Sequence, residues 1–438
     1  MADSVNYFGS APRVGTSGRK SMRESAPFDS GDGQLSFGAG VDEAANAPSV
    51  GLRPDYSLST LPRGAWVEVD LSAIAFNVKQ AMRAAGSRRL LCADVSADAY
   101  GHGAVRIAKA ALDAGVDRLA VATPEEGVRL RQAGIAAPIL LLTQPCSRSI
   151  PLLVAYDLTP AVHSAEFALE FAEFADLQNK VVPFQLEVNT GMNRNGVFYL
   201  DAGDFIRGIS FHRALKYEGT FTCFAVSDAR DQLDFSEQCR RFEDALGSIR
   251  AAGFDPGIVH AADSFAIYRY PQLHYGMVRL GSCLYGLDAD LYAGQNVNLK
   301  PALSVKAVVS QVIEPQMGEG VGFGYDYRVG RPVQIATLPI GYADGIRREL
   351  TSCGFKVLWQ GKPVSQVGAI SMNQMMIEIP LNYATTGIHG GAQEGDEVVI
   401  IGVQGEYELA CETMADALGT LSAEVTTVFG LRLPKVYR

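Results

Sequence analysis

Eight short apolar, β-branched runs, each followed by a longer amphipathic stretch, constrain this chain more than any other feature. They occupy residues 90–95, 119–122, 139–143, 158–162, 184–188, 217–222, 258–261 and 277–280. The stretches between them, such as 103–115 and 123–134, read as helices. The second opens on Thr-Pro-Glu-Glu, with Thr123 as cap, Pro124 at the first helical position and Glu126 completing a capping box. Eight βα units in about 200 residues predict a closed parallel (β/α)8 barrel, a TIM barrel, rather than an open sheet. Beyond it the texture turns β-rich, in 302–313, 334–339, 355–359 and 397–401. The expected organisation is α/β: a barrel over 63–297 and a C-terminal β-rich domain over 298–438.

With 438 residues, 47% of them hydrophobic, the chain can bury the core that two domains need. It contains no run of about 18 apolar residues and no apolar segment after a basic start, so neither a membrane span nor a secretory signal is expected, and the cytoplasm is the default location. The seven cysteines, among them Cys92, Cys223, Cys283 and Cys411, lack paired metal-like spacing and predict reduced, mostly buried thiols. A net charge of -10 argues against a general nucleic-acid surface. Residues 1–62 are dense in Gly, Ser, Ala and Pro and read as a solvated, disordered extension. Arg19, Lys20 and Arg23, with no acid among them, leave a transit peptide or a docking motif as alternatives.

In a (β/α)8 barrel the chemistry belongs at the carboxyl ends of the strands, and phosphate is often held after strands seven and eight. Those ends read directly from the sequence. After the first strand comes Ser96-Ala97-Asp98-Ala99-Tyr100-Gly101-His102-Gly103, and after the fifth Asn189-Thr190-Gly191-Met192-Asn193-Arg194. The seventh ends in His260-Ala261-Ala262-Asp263-Ser264 and the eighth in Arg279-Leu280-Gly281-Ser282. Small residues, hydroxyls and arginines at these ends suit a phosphorylated ligand.

These segments, with Gly341-Tyr342-Ala343-Asp344-Gly345 and the closing Leu433-Pro434-Lys435-Val436-Tyr437, resemble the alanine racemase family, fold type III among pyridoxal phosphate enzymes. The resemblance runs from Trp66 to the C-terminus. It implies a strand at 65–70 that crosses over to the second domain, and a head-to-tail homodimer whose sites are shared between subunits. Racemisation removes the α-proton from one face of an amino acid and returns it to the other, which takes two bases. In the family one is a lysine that also holds the cofactor as an imine. Ser96 stands there, and an alcohol forms no imine. The other is a tyrosine from the partner subunit, and Phe323 stands there.

Further departures surround the cofactor position. The resemblance aligns the family's strand-six histidine with Cys223, its Cys-Met-Asp trio with Ser371-Met372-Asn373, its seventh-strand Asn with Asp263, and a phosphate-reaching tyrosine with Ala423. What remains is Tyr100, Ser264, Gly281 and Ser282 for a phosphate, Arg279 for a pyridine nitrogen, and Arg194 for a substrate carboxylate, with Met372, Asn373 and Tyr342 also at the substrate side. Tyr100 and Ser264 have a plainer reading as loop hydrogen bonds, and Cys223 as strand-end packing. Glu187 falls where some family members carry a carbamylated lysine, and is a candidate ion partner for Arg279 or Arg194. Tyr325, taken as the strand residue two beyond Phe323, is a candidate displaced phenol. The implied cofactor state is no covalent attachment, with pyridoxal phosphate held only non-covalently if at all; the implied ligand is a small phosphorylated compound or an amino acid. Three functions stay open: a non-racemising binding protein, an enzyme repurposed for a specialised pathway, and a true amino-acid racemase.

Overall fold

A computed structural model describes residues 56–228, 232–288, 297–381 and 390–438. The expected N-terminal extension therefore lies almost wholly outside the described residues. The chain enters on β1 (Ala65–Val69), followed by helix Leu71–Ala85, whose cap Asp70 accepts from the Ser72 and Ala73 amides at 2.8 and 3.1 Å.

The barrel follows. Its strands are β2 (Leu90–Asp94), β3 (Arg118–Val121), β4 (Ile139–Leu141), β5 (Leu158–Val162) and β6 (Val182–Asn189); after the short β7 (Val197–Phe198) come β8 (Leu215–Phe221), β9 (Ile258–His260) and β10 (Met277–Leu280). All neighbours are parallel; β10 pairs with β2 and β5 pairs with β6, so eight strands close on themselves. Each of the eight runs read from the sequence is one of these strands. The capping box also forms: Thr123 Oγ1 accepts from the Glu126 amide at 3.4 Å, and Glu126 Oε2 accepts from the Thr123 amide at 3.1 Å.

The second domain is built on a ten-stranded sheet. It contains β11 (Leu303–Val308), β12 (Gln311–Ile313), β15 (Val333–Leu338), β16 (Lys356–Trp359), β17 (Lys362–Val367), β18 (Met375–Pro380), β19 (Glu397–Gln404), β20 (Tyr407–Leu409) and β21 (Lys435–Tyr437). A separate hairpin joins β13 (Gly320–Val321) and β14 (Tyr327–Arg328). Strand β1 sits in the large sheet, antiparallel to β11 and parallel to β21. One continuous apolar core runs through both parts, from Val67 and Ile107 to Trp359 and Phe429. Among the described residues no helix is long and apolar enough to cross a membrane. All seven cysteines are free, but only Cys92, Cys283 and Cys411 are buried, while Cys146 and Cys353 are exposed. The expectation of mostly buried thiols is corrected: Cys146 and Cys353 lie outside the strands of both sheets, where no core covers them.

The segment after β2 is a turn of unusual hand. Ala97, Asp98, Ala99 and Tyr100 have φ of 52°, 56°, 56° and 51°. Left-handed backbone costs an L-residue roughly 1–2 kcal/mol. Contacts from outside the turn offset that cost. Glu126 Oε1 accepts the Ala97 amide at 2.6 Å. The Asp98 carboxylate takes the Ala104 amide at 3.0 Å and Lys435 Nζ at 2.9 Å. Gly101, at φ 84°, presses so closely on the C-terminal helix Ser422–Phe429 that a Cβ there would lie 2.1 Å from the Thr426 carbonyl. Lys435→Met keeps the stem but leaves Asp98 only its longer contact with Arg129, at 4.0 Å, and the substitution is expected to lower stability by about 2 kcal/mol, a value discounted from fully buried pairs because Asp98 is partly solvated. Urea unfolding checks it; an unchanged midpoint would mean the turn holds itself.

Candidate active site

The left-handed turn brings Ser96 and Tyr100 to one carboxylate at the end of β2. Asp94 Oδ1 accepts from the Ser96 amide at 3.1 Å and from Ser96 Oγ at 2.6 Å, and Asp94 Oδ2 accepts from the Tyr100 hydroxyl at 3.2 Å. Burial pushes the Asp94 pKa above the usual carboxylate value, against the lowering effect of these hydrogen bonds. Tyr285 stacks on Tyr100 with ring centres 4.7 Å apart and donates its hydroxyl to the Asp94 carbonyl at 2.7 Å. Asp94 was not singled out in the sequence. The available signal was an acid closing an otherwise apolar barrel strand, Leu90-Leu91-Cys92-Ala93-Asp94.

Ser96 and Tyr100 open onto a cleft of 390 Å³ whose far wall is the C-terminal helix, with Ala423, Thr427 and Leu431. Ala423, which the resemblance aligns with a phosphate-reaching tyrosine, lines this cleft. Across from it, Ser264 Oγ accepts from the Gly281 amide at 2.9 Å and the Cys283 amide at 3.2 Å. A Cβ on Gly281 would lie 3.2 Å from the Tyr100 hydroxyl and 3.3 Å from Ser264 Oγ, so Tyr100, Ser264, Gly281 and the adjoining Ser282 form one corner. Asp263 caps the helix Ser264–Arg269 by accepting the Ala266 amide at 2.9 Å, and also accepts from Ser227 Oγ at 2.8 Å.

Arg279 is not paired with an acid. Its Nη1 donates to His260 Nδ1 at 2.8 Å, and its Nη2 donates to the carbonyls of Thr222 and Ala261 at 3.0 and 3.1 Å. His260 Nε2 meets Gln185 Oε1 at 2.7 Å, Gln185 Nε2 donates to Glu218 Oε2 at 3.0 Å, and Glu218 takes both Arg118 terminal nitrogens at 2.7 and 2.8 Å. Because an arginine only donates, His260 Nδ1 must accept, and its Nε2 carries the proton. Burial and the neighbouring arginines push the His260 pKa well below the usual imidazole value, which keeps it neutral. This relay satisfies Arg279 and corrects the expectation that Glu187 is its ion partner.

Glu187 is only 4% exposed, and its Oε2 has no hydrogen-bond partner. Arg194 and Arg279 act on it only through space. Arg194 itself is exposed on the loop after β6. Cys223, beyond β8, is half-buried beside Phe224.

The remaining candidates gather elsewhere. The Tyr342 amide donates to the Ser371 carbonyl and the Ala343 amide to the Met372 carbonyl, each at 3.0 Å, and Asn373 Oδ1 accepts from Arg432 at 3.2 Å. Tyr342, Met372 and Asn373 therefore form one group in the second domain, with Tyr342 and Met372 exposed. Phe323 is 75% exposed at the tip of the β13–β14 hairpin. The segment Phe323–Tyr325 is a tight turn, with Gly322 and Gly324 at φ 74° and 81°, so the reading of Tyr325 as a strand residue is corrected.

A closed parallel barrel with polar groups at its strand ends, joined to a β-rich domain, defines a two-domain barrel protein of the fold type III class. The alanine racemase N-terminal domain family matches residues 69–289 and the alanine racemase C-terminal domain family matches 302–437. The alanine racemase of Nostoc sp. is 36% identical over 375 residues, 85% of this chain and 95% of that protein. The crystal structure of alanine racemase from Bacillus anthracis with bound L-Ala-P superposes with a TM-score of 0.80 at 33% identity, covering 88% of this chain and 96% of that one. A histidine racemase from Leuconostoc mesenteroides superposes with a TM-score of 0.78 at 25% identity, covering 86% and 98%. This chain belongs to the alanine racemase family.

Burial raises the Glu187 pKa from 4.5 to about 7, with Arg194 and Arg279 opposing the rise. The unfolded chain releases this proton first, so the native state loses stability as pH rises from about 4.5 to 7, on the order of 3 kcal/mol in all. Glu187→Gln is expected to stabilise the protein at pH 8 and to have little effect at pH 4. Urea unfolding at both pH values reads this; equal effects would place the Glu187 carboxylate in water.

Proposed function

We propose that this chain is a non-racemising member of the alanine racemase family that binds a small ligand at the barrel mouth. One observation carries the reading. At the position of the family's imine-forming lysine, Ser96 holds its hydroxyl on the Asp94 carboxylate at 2.6 Å. Among the described residues no lysine lines the cleft there. Lys435, behind the same turn, is committed to Asp98 and to the Gly430 carbonyl. These residues do not fit covalent pyridoxal phosphate.

The opposite-face position, Phe323, carries a hydrocarbon ring with no proton to give or take. A positioned acid or base contributes roughly a hundred- to ten-thousand-fold in rate. The two losses need not multiply, since residues acting as a unit are non-additive. Either one suffices to remove useful turnover. With added pyridoxal phosphate, the full chain is expected to exchange no α-proton of L-alanine with deuterium oxide above the protein-free rate, and borohydride is expected to trap no adduct. Exchange a hundredfold above background would refute the reading.

We also propose a homodimer. Phe323, Tyr342 and Met372 are exposed on the second domain, and none of them lines the cleft beside Ser96 and Tyr100. In a head-to-tail dimer they face the partner's mouth, which covers apolar surface that a lone chain leaves wet. Sedimentation at micromolar concentration is expected to give twice the chain mass, and Met372→Glu to shift it toward monomer. A strictly monomeric wild type would refute the dimer.

A further inference from the structure

We propose that the barrel mouth takes a protonated amine without a phosphate group, held by the Asp94 carboxylate, and that the same carboxylate turns phosphate esters away. The proposal rests on the non-racemising reading and chooses the second of the two ligand classes left open by the sequence.

Asp94 is a carboxylate surrounded by neutral donors. Its two oxygens accept from the Ser96 amide, the Ser96 hydroxyl and the Tyr100 hydroxyl. Among the described residues it forms no ion pair within 4.0 Å, and the strongest nearby charge acting on it is another carboxylate, Glu126, bonded to the Ala97 amide in the same turn. Two oxygens offer about four lone-pair directions, so roughly one is left for a further donor. Burial leaves the ionised form short of stabilisation and makes Asp94 a weaker acid than an exposed carboxyl. Ser96 and Tyr100, which both donate to Asp94, line the cleft together with the paired Arg347 and Glu424, and an ammonium group passing between Ser96 and Tyr100 to Asp94 supplies both the missing charge and the missing donor.

The corner facing Asp94 is ill suited to phosphate. Tyr100 spends its proton on Asp94, so its oxygen offers lone pairs to the corner. The Gly281 and Cys283 amides are already taken by Ser264 Oγ. An anion touching the Tyr100 hydroxyl sits within about 6 Å of the Asp94 carboxylate, two hydrogen-bond lengths away. At the effective dielectric of a partly buried site, like charges at that separation weaken binding on the order of a hundredfold.

Pyridoxamine and pyridoxamine 5'-phosphate share ring and amine and differ by the phosphate, so calorimetric titration of the full chain with each compares the two classes directly. The wild type is expected to bind pyridoxamine at least tenfold more tightly, and Asp94→Asn to erase or reverse that preference. Tyr100→Phe, which leaves the carboxylate in place, is expected to keep it, and serves if Asp94→Asn does not fold. Equal or tighter binding of the 5'-phosphate, binding of neither probe, or an Asp94→Asn variant with the wild-type preference would each overturn the proposal. Imine absorbance with pyridoxal phosphate would refute the non-racemising reading instead, and leaves this comparison intact because neither probe carries an aldehyde.

Discussion

The ion pair between Lys435 and Asp98 joins the last strand of the chain to the first functional loop of the barrel. Lys435 lies in β21, beside β1 in the large sheet, while Asp98 sits within the left-handed turn. Four residues at positive φ do not persist by themselves in an L-polypeptide. They persist here because a buried cation, the Glu126 cap and the close approach of Gly101 to the Thr426 carbonyl over-determine them. Ser96 and Tyr100 owe their common partner, Asp94, to that turn. The mouth of the barrel is therefore set by the second domain as much as by the barrel.

A second interaction works independently of the first. The relay from Arg279 through His260, Gln185 and Glu218 to Arg118 fills the barrel interior with polar groups that satisfy one another. Buried polar networks are favourable only when every member is paired. Here the guanidinium at the mouth is held in place from beneath, with no demand on any ligand above it. A barrel built this way tolerates exchange of the groups around the mouth without losing its frame. This explains how a chain 36% identical to an alanine racemase over 375 residues can carry Ser96 on an intact scaffold.

Much of the barrel was legible because its strands are short apolar runs separated by helix signals, and the Thr123–Glu126 capping box was readable residue by residue. The place of β1 in the second domain came from resemblance alone, since nothing in the residues Ala65–Val69 says which sheet they join. The site was legible as a set of positions but not as a set of partnerships. His260 was in view within its motif, yet its pairing with Arg279 depends on both side chains pointing inward from adjacent strands, which local sequence does not specify. Tyr325 was misplaced because two glycines at positive φ turn the hairpin tip, and the alternation of a strand no longer applies.

Asp94 illustrates the same limit and its consequence. Read along the chain, it is the polar end of a strand; read in space, it is the group on which Ser96 and Tyr100 both converge. Together with Glu187 it places one part-buried and one buried carboxylate around the mouth. Their situations differ. Glu187 faces two arginines through space and lacks only hydrogen bonds, whereas Asp94 has hydrogen bonds and lacks a cation. A buried charge left in either state carries a desolvation penalty. Between them, Asp94 is the one tied to the open cleft, because Ser96 and Tyr100, which both donate to it, line that cleft. The chemistry of the mouth is thus read from which penalty remains outstanding once the protein's own contacts are counted.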